Sequence, residues 1–165
     1  MTAGDSARVS TEEQALVIER VFDAPRELVW QAWTEPEHFM RWYGPKGFTV
    51  PTCEIDFRVG GRRLIGMRSP DGQEYWTAGV YLEIVPPERF VATEAFSDEH
   101  GNVVSPPGAD VPLEMTITVT LEDLGDGKTK LTLRQAGFPD DSMAVGASAG
   151  WNGAFDKLAE VLAEA

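Results

Sequence analysis

The chain has 165 residues, 42% of them hydrophobic, and a formal net charge of −13. That length suits one domain able to bury about 70% of its unfolded surface, and the acidic excess excludes a nucleic-acid binder, whose affinity rests on Lys and Arg neutralising phosphates. No apolar run approaches the roughly 18 residues of a membrane span, and one cysteine with two distant histidines gives neither a disulfide nor a zinc-site spacing, so no metal or cofactor is expected.

Residues 1–14 are polar and lack the apolar segment of a secretory signal. They read as a disordered tail before a single domain over 15–165. Leu16 to Asp23 alternates and predicts a strand, with Leu16, Ile18, Arg20 and Phe22 on one face. Pro25 suits the first turn of a short helix in which Leu28, Val29, Ala32 and Trp33 share a side. Thr34 and Glu37 then have the spacing of a capping box, starting a second short helix that carries Phe39 and Trp42 and stops at Gly44-Pro45.

A strand meander follows. Cys53, Ile55, Phe57 and Val59 alternate with Glu54, Asp56 and Arg58, and Gly60-Gly61 breaks the pattern. Cys53 in such a strand is expected to be a buried, inert thiol. Arg62 to Arg68, Glu74 to Val85 and Arg89 to Phe96 continue the meander, with Ser69-Pro70-Asp71-Gly72 and Pro86-Pro87 as turns. Ser97 to Pro112 is irregular, a length that suits a lid or an insertion. Leu113, Met115, Ile117, Val119 and Leu121 alternate next, Gly125-Asp126-Gly127 turns the chain, and Thr129 to Gln135 is the last strand.

The end of the chain is a long helix. Asp140 and Asp141 suit its N-terminus, and Trp151, Phe155, Leu158 and Leu162 recur at helical spacing. Roughly 24 residues at about 1.5 Å each would span about 36 Å. Its first half is thin, reading Ala144, Gly146, Ala147, Ser148, Ala149 and Gly150. Either another backbone packs closely there, or that segment roofs a cavity. Seven antiparallel strands with one apolar face need a cover, which two short helices cannot supply and the long helix can. An α+β fold follows, a curved sheet gripping a long C-terminal helix.

Four stretches carry a family resemblance: RVFDAPRELVWQAWTEPEHFMRWYGPKGF (Arg20 to Phe48), DFRVGG (Asp56 to Gly61), TEAFSDEHGN (Thr93 to Asn102) and GWNGAFDKLAEVL (Gly150 to Leu162). Together with the element order they resemble the START-like or SRPBCC superfamily, which includes the birch-pollen allergen. Within it they are similar to the AHSA-type family, homologues of the activator of the ninety-kilodalton heat-shock chaperone's ATPase. The resemblance implies a helix-grip fold with an apolar cavity between sheet and helix. Members include lipid carriers, polyketide cyclase-like enzymes and resistance proteins, and the chaperone link implies a stress-response setting. The eukaryotic co-chaperones carry an additional domain before this one, and the chain begins without it, so a chaperone partner is not expected.

The candidate chemistry is sparse. Glu94 shares a strand face with Phe90, Ala92 and Phe96, where burial would raise its pKa and suit it to acid–base work. Arg20, by the same parity, is a candidate counter-charge or anion anchor. Trp42, Phe57, Trp76, Phe96, Met115, Trp151 and Phe155 are candidates to line a pocket, although each could equally be core. The expected function is binding of an apolar or aromatic small molecule by a soluble cytoplasmic protein. The alternatives are an enzyme acting on such a molecule through Glu94 and a co-chaperone-type interaction module. Monomer and homodimer both remain open.

Overall fold

A computed structural model describes residues 6–10, 15–105 and 113–164. In β2 (Ala15–Phe22) the alternation holds: Leu16, Ile18 and Phe22 are buried, and Arg20 shares their face. The first correction lies just before it. Ser6–Ser10, inside the expected tail, forms strand β1, paired antiparallel with β2 from Ser6↔Glu19 to Ser10↔Ala15. A sheet edge offers unpaired main-chain groups to any extended segment, so a polar sequence can still complete the ladder. The rest of the expected tail lies outside the described residues.

Pro25 stands extended before α1 (Arg26–Thr34), which buries Val29, Trp30, Ala32 and Trp33. The capping box does not form. Thr34 turns its hydroxyl back to donate to the Trp30 carbonyl at 3.0 Å, and Glu35 precedes α2 (Pro36–Phe39) without a side-chain cap. Pro36 starts that turn with its fixed φ and has no N–H to satisfy.

The next strands are β3 (Thr49–Ile55), β4 (Arg62–Arg68), β5 (Glu74–Val85), β6 (Arg89–Ser97), β7 (Glu114–Gly125) and β8 (Lys128–Ala136). β3 begins and ends earlier than Cys53–Val59, because residues 56–61 make the turn into β4. Gly61 N–H donates to the Arg58 carbonyl at 2.8 Å, and a Cβ on Gly61 would fall 1.9 Å from the Asp56 carbonyl oxygen. Only glycine fits there. The seven strands expected from the sequence are all present, and β1 makes an eighth; the order is β1-β2-β8-β7-β6-β5-β4-β3 with every pairing antiparallel.

The long helix α3 (Asp141–Ala163) starts where the sequence places it: the Asp140 side chain accepts from Met143 N–H at 2.8 Å. Its second half buries Trp151, Phe155, Leu158 and Leu162. They meet an aromatic knot centred on Trp33, whose ring centroid lies 4.7 Å from Trp42, 5.8 Å from Phe90, 5.9 Å from Trp151 and 6.2 Å from Phe155. Such edge and tilted contacts add to the apolar area these rings bury. The two short helices therefore fill one end of the sheet's inner face together with the heavy half of α3. The light half is left over the other end.

Candidate binding site

Beneath that light half, two adjoining cavities of about 270 and 260 Å³ open between α3 and the sheet. Both touch Met67 from β4, Glu94 and Phe96 from β6, Gln135 from β8 and Ala147 from α3. Tyr43, Pro45, Gly146, Gly150 and Trp151 complete the first, and Thr77, Met115, Phe138 and Met143 the second. Gly146 meets nothing within 4 Å of an added Cβ, and Gly150 only the Pro45 ring at 3.5 Å. Gly146 is exposed, so the roof reading rests on Ala147, which lines both cavities, and on Gly150, which lines the first. Close packing applies one turn later, where a Cβ on Gly153 would lie 3.2 Å from the Lys46 backbone nitrogen.

The lip of the cavity, Gly44–Phe48, is tied to α3. Lys157 Nζ donates to the carbonyls of Tyr43, Pro45 and Phe48 at 3.3, 3.1 and 3.3 Å, and Lys46 pairs with Asp156 at 2.9 Å.

One ionisable group faces the cavity from the sheet. Glu94 is only 8% exposed, and its Oε2 has no hydrogen-bond partner among the described residues. Burial raises its pKa above the usual carboxylate range, against the pull of the Arg63 cation and the hydroxyls of Tyr43 and Thr77. The Thr77 hydroxyl favours the carboxylate as a hydrogen-bond donor, through a contact too loose to satisfy its Oγ1 fully among the described residues. Arg63 is 3% exposed, with its guanidinium 6.0 Å from the Phe39 ring centroid and 5.7 Å from that of Tyr81. Burial works against its charge, but Tyr81, Tyr43 and Glu94 outweigh that and hold it protonated. Burial likewise pushes the Tyr43 phenol far above its ordinary pKa, so it stays neutral and donates.

A short polar relay completes the floor. Trp151 Nε1–H donates to Gln135 Oε1 at 2.8 Å, and Gln135 Nε2 turns to the Met115 sulfur at 3.6 Å. The indole can only donate, which fixes the orientation of the Gln135 amide; a thioether is a weak acceptor, so that amide N–H is poorly satisfied.

The candidates from the sequence separate cleanly. Phe96, Met115, Trp151 and Glu94 meet at the cavity. Trp42 and Phe155 are fully buried in the aromatic knot, Trp42 donating its indole N–H to the Ala32 carbonyl at 2.9 Å. Phe57 packs on Trp30, Tyr81 and Phe90. Trp76 lies on the opposite face of the sheet, where its indole covers Gly66. Arg20 reaches α3 instead of a ligand, pairing with Asp156 at 2.8 Å and Asn152 at 3.3 Å. Arg63, Tyr43, Thr77 and Gln135 went unremarked in the sequence, although Gln135 follows Leu131 and Leu133 at strand parity and Arg63 precedes Ile65 and Met67.

A larger cleft of about 650 Å³ lies elsewhere, between β3, β4 and the turn at Glu99-His100. Size favours it, but its chemistry does not. Glu99 and His100 are largely exposed there, and the Cys53 thiol is pushed up to about 11 by burial. That thiol is protonated and unreactive at neutral pH. Among the described residues no group of His, Cys, Asp or Glu could hold a metal ion, and no helix is long and apolar enough to cross a membrane.

The fold is shared widely among solved structures. A protein of Arthrobacter aurescens is 28% identical, with a TM-score of 0.81 over 97% of this chain and 92% of that one. A protein of Chromobacterium violaceum is 32% identical, with a TM-score of 0.77 over 90% and 96%. The AHSA1 protein of Silicibacter pomeroyi is 26% identical, with a TM-score of 0.76 over 90% and 97%. No curated protein matches the chain. The family model described as "Activator of Hsp90 ATPase homolog 1-like protein" matches residues 23–163, covering both short helices, strands β3 to β8 and α3. The chain belongs to that family.

Proposed function

We propose that the protein binds an apolar or aromatic small molecule between the sheet and the first half of α3, in the cytoplasm and without metal or cofactor. The observation that carries this reading is the space under Gly146, Ala147 and Gly150, walled by Met67, Phe96, Met115, Phe138 and Trp151. An apolar space of that size is unusual beside a close-packed core, and a mostly apolar wall with a few convergent polar groups is the usual make-up of a small-molecule site.

Native mass spectrometry of the protein as purified, followed by denaturing extraction, is the direct test. The expected result is a discrete added mass that is recovered as an extractable small molecule. Ala147→Leu, which puts a larger side chain into both cavities, should abolish that mass while the protein stays folded. A clean apo mass, combined with no rise in melting temperature across a panel of apolar compounds, would overturn the reading.

An enzymatic reading has one observation in its favour, the buried carboxyl of Glu94 with an oxygen free toward the cavity. A carboxyl with a raised pKa can act as a general acid or base near neutrality. If the extracted molecule is turned over, Glu94→Gln should remove turnover and leave affinity in place; undiminished turnover in that variant would end the enzymatic reading.

A further inference from the structure

The charges around Glu94 narrow the chemistry of the ligand, given the cavity reading above. Arg63 is a permanent cation, sealed behind the cavity between the rings of Phe39 and Tyr81, and it acts through space on Glu94. When Glu94 is ionised, the two form a balanced set of one positive and one negative charge. A cationic ligand would leave that set with an uncompensated positive charge in a low-dielectric site. An anionic ligand would set a second negative charge against the carboxylate. Both are costly in an apolar interior.

Arg63 Nε is also buried without a partner among the described residues but lines neither cavity, and the unmet groups that do line them call for hydrogen bonds. Among the described residues, Glu94 Oε2 and Thr77 Oγ1 are buried without a hydrogen bond of good geometry, and the Gln135 amide N–H finds the Met115 sulfur as its acceptor. Glu94 and Gln135 line both cavities, and Thr77 lines one of them. A hydroxyl is a small neutral group that donates and accepts from the same atom. Its hydrogen satisfies Glu94 Oε2, and its lone pairs remain open to Thr77 or Gln135.

We propose that the site selects uncharged, ring-bearing ligands that carry a hydroxyl, which donates to Glu94 Oε2 while the rings lie against Phe96, Met115 and Trp151. The proposal concerns recognition only, and no bond is made or broken.

Isothermal titration at neutral pH with four two-ring probes tests it: naphthalene, 2-naphthol, 2-naphthylmethylammonium and 2-naphthoate. The wild-type protein should bind 2-naphthol about tenfold more tightly than naphthalene, the upper scale of one hydrogen bond to a neutral or charged partner. The ammonium and carboxylate probes should bind no better than naphthalene. In Glu94→Leu the preference for the hydroxyl should disappear, and circular dichroism with a cooperative melting transition checks independently that the variant is folded. Thr77→Val should reduce the preference by a smaller factor. Equal binding of naphthalene and 2-naphthol, tightest binding of a charged probe, or an undiminished preference in Glu94→Leu would overturn the selection while leaving the cavity reading standing. Failure of all four probes to bind would remove both.

Discussion

Glu94 ionises against its surroundings, and that has a consequence for stability. Its folded-state pKa is raised chiefly by burial, so the folded protein holds this proton more tightly than the unfolded chain does. The stability linked to the proton is fully present below the unfolded glutamate pKa of about 4.3 and is lost as pH rises through the folded value. Glu94→Gln removes the titration and keeps the shape. The melting temperature of the variant minus that of the wild type should therefore increase as pH is raised from about 4 to about 8, and a difference that stays flat would show that Glu94 titrates normally. The same residue marks how far the sequence could be read. Strand parity with Phe90, Ala92 and Phe96 put its carboxyl on the inner face. Parity alone could not put Tyr43 beside it, because that side chain arrives from beyond α2, 51 residues away in no shared pattern. Trp76 failed for a related reason. A bulge between Tyr81 and Glu83 shifts the β5 register, and nothing in the composition of that strand says which alternate set faces inward.

At the scale of elements, α3 is two helices in function and one in geometry. The cost of its glycines differs by position. Gly146 has open space where a Cβ would go, whereas Gly153 has the Lys46 backbone at 3.2 Å. Gly146→Ala should stabilise the protein by up to about 1 kcal/mol through helix propensity. Gly153→Ala should gain less, since the Gly44–Phe48 turn held by Lys157 has to shift to admit the methyl group. Urea unfolding of the two variants gives the comparison; equal gains would mean that the turn yields freely. The strand and helix order was legible because each element repeats its own period over many residues. The capping box at Thr34 and Glu37 was a local pattern of four residues, and a single competing bond, from Thr34 to the Trp30 carbonyl, was enough to defeat it. β1 left no period at all, since its pairing with β2 is a main-chain matter.

For the whole molecule, the division of the inner face decides where tolerance lies. One end is filled by Trp33, Trp42, Phe39, Phe90 and Phe155, and Phe155 touches Phe22, Trp33, Trp42 and Trp151 with no exposed surface. Phe155→Ala should cost about 3–5 kcal/mol, a large part of the roughly 5–15 kcal/mol that holds a domain folded. Chemical denaturation measures it, and a loss below about 1 kcal/mol would mean that the knot repacks around the gap. The other end tolerates emptiness because its walls are anchored from outside: the Lys157 bonds fix the lip, and the Arg20–Asp156 pair fixes the helix to β2. A cavity can persist in a folded protein when its frame does not depend on its contents.

The bond from Trp151 to Gln135 gives the molecule a built-in optical reporter. This indole stands at the border between the filled and the empty ends, 5.9 Å from Trp33 on one side and lining the cavity on the other. A guest that draws the Gln135 amide toward itself changes the acceptor that the indole N–H uses. The emission of Trp151 should then shift in colour and intensity with occupancy, while Trp30, Trp33, Trp42 and Trp76, which line neither cavity, provide the background. Occupancy of the cavity can thus be followed by ultraviolet light alone, in the unlabelled protein, before the guest has been identified.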